Sequence, residues 1–202
     1  AMEKNGQRAA KWVYEMLEKG HTSFYKVEDG KRKYYDISSS SYKNIPGSDA
    51  FIILENHSNN IVWKNSGTHL IDIGDGVLNL EFKTKMNTIG GEVLDAIPKS
   101  IELAEKNFAG LVIGNQGENF SAGANLAMML MLAIEQEYDE LSMACKMFQN
   151  ASMRIRYSSI PVVVAPHHLT LGGGCEFCLH ADRVQAAAET YIGLVEFGVG
   201  II

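Results

Sequence analysis

The sequence predicts an α/β unit preceded by a small α+β segment, and three observations carry that prediction. From residue 87 onward, apolar runs of helical period alternate with short apolar runs of strand length, as in a parallel sheet with connecting helices. A pair of alternating strands around Gly74-Asp75-Gly76 opens that region. Upstream there is one helix, one hairpin and a polar stretch. With 202 residues, 46% of them apolar and 21% charged, the chain is long enough for one good-sized core and has an ordinary soluble, globular composition.

Residues 9–19 put Trp12, Val13, Met16 and Leu17 on one helical face, and Gly20 follows as a C-cap. Two β-prone runs flank Glu28-Asp29-Gly30-Lys31, an Asp-Gly hairpin signal. The polar residues 38–50, broken by Pro46 and Gly47, predict a loop or linker. Residues 69–73 and 77–82 alternate as strands, and 89–107 predict a helix with Val93, Ile97, Ile101 and Ala104 at helical spacing around Pro98. Then follow a strand at 109–114, a strongly apolar helix at 126–137, an amphipathic helix at about 140–156, a strand at 161–165 and a helix at 175–181. No internal repeat is visible.

Charge and cysteine usage narrow the function classes. A net charge of −6 disfavours nucleic acid and anionic membrane as partners, because both demand clustered positive charge. Cys145, Cys175 and Cys178 are an odd set, which points to a reducing compartment. The Cys175-Glu-Phe-Cys178 spacing has neither a second CxxC nor a spaced His pair, so no metal is expected. No apolar run reaches 18 residues and the N-terminus has no apolar signal core, so the expected location is cytoplasmic without membrane insertion.

Three stretches carry chemical content: Phe120-Ser-Ala-Gly-Ala-Asn-Leu126, Leu171-Gly-Gly-Gly-Cys-Glu176, and Glu196 within Gly193-Leu-Val-Glu-Phe-Gly198. Both glycine turns fall at strand-to-helix junctions, where the first helical N–H groups have no internal partner and favour negative charge. Two such turns facing one cleft can donate two N–H groups to one developing oxyanion, and Glu176 and Glu196 add carboxylates for proton transfer. Neither GxGxxG nor GxxxxGK[ST] occurs at these turns, which argues against a nucleotide-phosphate loop. A GGG run alone also serves as a turn or close-packing device, and either glutamate alone could be a dipole-favoured or edge charge.

The order of these motifs, with Pro161-Val-Val-Val-Ala165 between them, resembles the crotonase superfamily of enoyl-CoA hydratases and isomerases over residues of about 69–202. The resemblance implies a crotonase-like spiral of ββα units that binds acyl-CoA thioesters and holds the carbonyl oxygen on two backbone amides. Position by position these fall on Ala124 and Gly173, and the two hydratase carboxylates fall on Glu176 and Glu196. Ala122 matches the position whose carbonyl meets the CoA adenine. Gly123, Asn125, Leu126 and Gly172 complete the substrate-binding set, and the apolar run 126–132 would line the pantetheine or acyl channel. Two departures stand out: Asn125 replaces the usual Asp, and His167-His168 replace the usual Asn-Gly, both expected to bear on the loop rather than on catalysis.

Asn65-Ser-Gly-Thr-His-Leu-Ile-Asp-Ile-Gly, Gly110-Leu-Val-Ile-Gly-Asn-Gln-Gly and Tyr157-Ser-Ser-Ile-Pro-Val-Val look like bacterial bifunctional fatty-acid oxidation proteins, in which a 3-hydroxyacyl-CoA dehydrogenase precedes a hydratase-like domain. That implies residues 1–68 are the dehydrogenase tail plus connector and 69–202 the acyl-CoA domain. Acyl-CoA is then substrate, NAD belongs to the absent dehydrogenase half acting in cis, and no cofactor is expected here. The resemblance leaves hydratase, Glu196-only isomerase and non-catalytic acyl-CoA-binding module open, with hydratase leading because both carboxylates are present. The apolar ending Phe197-Gly-Val-Gly-Ile-Ile202 predicts further structure downstream that closes the acyl pocket and packs an oligomer, and hence weak or no activity without it.

Overall fold

The computed structural model describes residue 6, residues 8–28 and 30–198, and Gly200. Asp29 of the expected Asp-Gly turn, and Val199, Ile201 and Ile202 of the apolar ending, lie outside the described residues. The chain divides into two compact units, Ala1–Asn56 and His57–Ile202.

In the first unit, helix α1 (Lys11–Glu18) buries Met16. It ends as the sequence predicts: Gly20 takes φ +79° and the His21 amide reaches back to the Met16 carbonyl at 3.0 Å, closing the last turn on a left-handed glycine. Strands β1 (Tyr25–Glu28) and β2 (Lys31–Asp36) pair antiparallel with Glu28 opposite Lys31, the register of a two-residue hairpin loop. Residues 38–50 are not wholly loop. Strand β3 (Ser41–Asn44) pairs with β2 across a turn in which Asp36 Oδ2 accepts from the Ser38 hydroxyl at 2.8 Å and the Ser39 amide at 3.0 Å. An edge strand of sequence Ser-Tyr-Lys-Asn half-buries only Tyr42, so it shows no alternating apolar pattern to read.

The second unit is organised on a six-stranded sheet: β4 (Ile61–Lys64), β5 (Thr68–Asp72), β6 (Val77–Phe82), β7 (Gly110–Ile113), β8 (Val162–Val164) and β10 (Arg183–Val184). The order is β10-β8-β7-β6-β5-β4, antiparallel among β4, β5 and β6 and parallel from β6 to β10. This unit therefore begins upstream of the expected boundary at residue 69, because β4 already belongs to its sheet. The β5–β6 turn is made by Gly74 (φ +93°), Asp75 (φ +52°) and Gly76 (φ +73°), with Asp72 Oδ1 accepting from the Gly74 amide at 2.9 Å. Strand β6 is an interior strand and buries successive residues from Leu78 to Phe82, as a strand covered on both faces does.

Helix α2 (Gly91–Asn107) covers the sheet through Val93, Ile97, Ile101 and Ala104, all fully buried. Each large aliphatic side chain so buried contributes about 1.5–3 kcal/mol. The helix continues past Pro98 to Asn107. Helix α3 (Leu126–Ile134) stops short of residue 137, because Gln136 adopts a left-handed φ of +60° before α4 (Tyr138–Arg156) begins. Helix α5 (Gly173–His180) follows β9 (Leu169–Leu171), and β9 pairs in parallel with β11 (Tyr191–Gly193). Among the described residues no helix is long and apolar enough to cross a membrane.

Candidate active site

A second layer of short parallel pairings brings the two glycine turns together. Beside β11 and β9 runs the 121–124 segment, bridged by Ser121 to Thr170, and beside that Ile89, bridged to Ala124. The hydrogen bonds are explicit: Ser121 N to Leu169 O at 3.1 Å, Leu171 N to Ser121 O at 3.0 Å, Ile89 N to Gly123 O at 2.8 Å and Asn125 N to Ile89 O at 3.2 Å. These bonds leave out the amides of Ala124 and Gly173. Gly173 opens α5, where no intrahelical acceptor exists, and Ala124 lies between residues that use its neighbours' groups. Neither amide donates to any described residue.

Glycine is required at each step of this junction for a different physical reason. Gly123 has φ +89°, and a Cβ there would lie 2.9 Å from the Leu171 carbonyl oxygen and 3.6 Å from the Gly173 nitrogen, so the two turns are in van der Waals contact. Gly172 has φ +47° and faces Glu196, whose Oε1 would stand 3.1 Å from its Cβ. A Cβ on Gly173 would overlap the Phe148 ring edge, and one on Gly174 would lie 2.9 Å from Ser121 Cβ.

The loop carrying the first turn is held from behind by a buried amide network. Asn87 Nδ2 donates to Asn115 Oδ1 and to the Asn119 carbonyl, both at 2.9 Å, Asn115 Nδ2 donates to the Phe120 carbonyl at 2.9 Å, and the Ser121 hydroxyl donates to the Asn87 carbonyl at 2.7 Å. Replacing Asn115 by alanine strands these buried partners, at a cost of about 1–3 kcal/mol. Urea unfolding of Asn115→Ala against the parent protein checks that value; a loss below about 0.5 kcal/mol would mean the loop does not depend on it.

Every sequence-predicted site residue lines one cavity of about 470 Å³: Ala122, Gly123, Ala124, Asn125, Leu126, Gly172, Gly173, Glu176 and Glu196. Of the predicted apolar channel 126–132, Leu126, Met128 and Met129 line it, while Leu130 and Met131 are 62% and 61% exposed. His167 and His168 do not line it. His167 Nε2 donates to the Gly117 carbonyl at 2.9 Å and so braces the loop of the amide network, while the His168 carbonyl accepts from Tyr191 N at 2.8 Å. The wall supplied by α4, with Cys145, Phe148, Gln149 and Ser152, was not singled out from the sequence, nor was His180. The spacing of the α4 residues marks one helical face, but nothing in the sequence says which cavity that face lines.

Burial raises the Glu176 pKa above the ordinary carboxylate range, the Glu196 charge raises it further, and His180 partly opposes both. Its neighbours Cys175 and Cys178 are buried free thiols with raised pKa values, Cys178 to about 12, so both are held as protonated, unreactive thiols. Among the described residues no three His, Cys, Asp or Glu side chains come together as a metal-binding set. The arrangement thus offers two unpartnered backbone amides, a carboxyl poised to hold or take a proton, and a second carboxyl beside the glycine turn.

Residues 72–202 match the family model described as enoyl-CoA hydratase/isomerase. The chain belongs to the enoyl-CoA hydratase/isomerase family. It is 46% identical over 203 aligned residues to the "Probable 3-hydroxyacyl-CoA dehydrogenase" of Bacillus subtilis (strain 168), covering 100% of this chain but 26% of that protein. The chain thus spans about a quarter of that relative's length. Among solved structures it is similar to an enoyl-CoA hydratase from Thermoplasma volcanium GSS1, with TM-score 0.59, 26% identity, and coverage of 67% of this chain and 54% of the other. An enoyl-CoA hydratase from Polaromonas sp. JS666 shares the fold at TM-score 0.62 and 24% identity, covering 66% of this chain and 52% of the other. The α/β unit is therefore crotonase-like, and the family match excludes the first compact unit and the strand β4.

Proposed function

We propose that the cavity hydrates a trans-2-enoyl-CoA to the 3-hydroxyacyl-CoA, as part of a longer fatty-acid oxidation protein that also carries an NAD-dependent 3-hydroxyacyl-CoA dehydrogenase. The observation that carries the reading is the convergence on one cavity of the Ala124 and Gly173 amides with two carboxylates. In this reading the thioester oxygen accepts from both amides, which draws charge off C3 and stabilises the enolate that forms when water adds there. One glutamate takes the water proton as water adds at C3 and the other delivers a proton to C2; the raised pKa of Glu176 suits it to carrying one of these protons. The net change is addition of one water across the double bond, with no redox step.

The name of the Bacillus subtilis relative supports the wider assignment, since the product of hydration is the substrate of a 3-hydroxyacyl-CoA dehydrogenase. On the same reading the residues ahead of the family match are the tail of that dehydrogenase part and a connector, and NAD binds only in the part outside this sequence.

The test is loss of enoyl-thioester absorbance on adding the full-length protein to crotonyl-CoA. Turnover that falls on the order of 10²–10⁴ in Glu196→Gln supports the reading. Binding of crotonyl-CoA without turnover would make the domain an acyl-CoA-binding module instead.

A further inference from the structure

The cavity wall carries a hydroxyl that the proposed chemistry leaves unused. Ser152, on α4, lines the cavity and is only 5% exposed. Its side chain hydrogen-bonds to no described residue. Ser100 and Thr170 also have buried hydroxyls without a partner, but theirs are sealed from solvent. The Ser152 oxygen is not sealed, and the open space that this buried residue borders is the cavity. Cys145, Phe148 and Ser152 form one stripe of α4 at i, i+3 and i+7. Cys145 is exposed, Phe148 half-buried and Ser152 buried, so the cavity deepens in that order. Gly173 meets the stripe in its middle, at the Phe148 ring edge. A thioester held by the Gly173 amide therefore has Ser152 one helical turn further in, about 6 Å along α4.

CoA carries charged phosphates that stay toward solvent, so the part of the ligand that points inward from the thioester is the acyl tail. Ile89, Leu94 and Phe148 of the lining suit an alkyl tail, and the Ser152 hydroxyl does not. We propose that Ser152 is a specificity-determining residue that favours short acyl chains; the inference rests on the acyl-CoA reading of the cavity. While the chain is short, water occupies the inner end and hydrogen-bonds the hydroxyl. A tail long enough to reach Ser152 displaces that water and leaves the hydroxyl buried without a partner. Stranding a buried neutral group in this way lowers affinity about fivefold or more.

The test is calorimetric binding of butyryl-CoA and octanoyl-CoA to the full-length protein, since saturated thioesters have no double bond to hydrate and report binding alone. Ser152→Ala, which is smaller and favours the helix, should improve octanoyl-CoA relative to butyryl-CoA about fivefold or more. Ser152→Thr and Ser152→Val have the same shape and differ in the hydroxyl, so the valine variant should favour octanoyl-CoA over the threonine variant by a similar factor. An unmoved ratio in Ser152→Ala overturns the proposal, because it means that the hydroxyl finds a partner within the helix by turning back onto the Phe148 carbonyl. Equal ratios in the threonine and valine variants overturn it too, since size and not the hydroxyl would then select. Failure of the parent protein to bind either thioester sinks the acyl-CoA reading and this inference together. The expected ratios without hydration of crotonyl-CoA would uphold the role of Ser152 and count against hydration alone.

Discussion

Gly173→Ala is expected to lower turnover of crotonyl-CoA by the full-length protein on the order of 10²–10³, the effect of losing one preorganised oxyanion donor. The added methyl would overlap Phe148 Cζ and lie 3.0 Å from both Cε atoms. The ring has little room to retreat, because it stacks on the fully buried Phe177 with centroids 5.2 Å apart and planes at 16°. Something must move, and the Gly173 amide is attached to the part that moves. Stability should fall as well, by about 1–3 kcal/mol, as for other overpacked sites.

A double-mutant cycle separates this steric cause from any other. Phe148→Leu removes the ring atoms that the methyl would strike, so Gly173→Ala should cost much less activity in that background, and the two substitutions should be strongly non-additive. Equal losses in both backgrounds would show that the amide is displaced by backbone strain or plays no part, and that Phe148 is not what requires a glycine here.

Much of this site could be read from the chain because its chemistry sits in turns with local signatures. A backbone donor at the start of a helix needs a small residue, a strand before it and a helix after it, and all three are local in sequence at 109–126 and 161–180. The strand pairings that join the two turns were not legible: Ser121 meets Thr170 across a long separation, and a single bridge has no periodicity to betray it. Two omissions have the same physical origin. Strand β3 is a polar edge whose pairing comes from the backbone, and β4 precedes the glycine turns that otherwise mark the start of the unit. The α4 wall is the third case, since an amphipathic helix shows which face is apolar but not what that face covers. Asn87 and Asn115 look like loop polars in sequence, and only the fold shows them buried as the brace behind the first glycine turn.

Glu176→Gln should separate activity from stability in opposite directions. Turnover is expected to fall on the order of 10²–10⁴, because glutamine can neither take up a proton nor deliver one. The folded-state pKa of Glu176 lies above its unfolded value, with burial the largest cause and the Glu196 charge the next. Below the unfolded pKa, near 4.3 for an ordinary glutamate, both states are protonated and the residue costs nothing. As pH rises from there through the folded value, the unfolded state ionises first and the native state binds more protons, so stability declines until the half-buried carboxyl is also ionised. Glutamine is uncharged throughout. Glu176→Gln should therefore unfold at a higher urea concentration than the parent protein at neutral pH, with the difference shrinking to nothing as pH is lowered past the unfolded pKa. Parallel urea midpoints across that range would mean that Glu176 is not held at a raised pKa in the fold. A variant that gains stability while losing turnover would show that the carboxyl is kept in this cavity for its proton chemistry, against the preference of the fold.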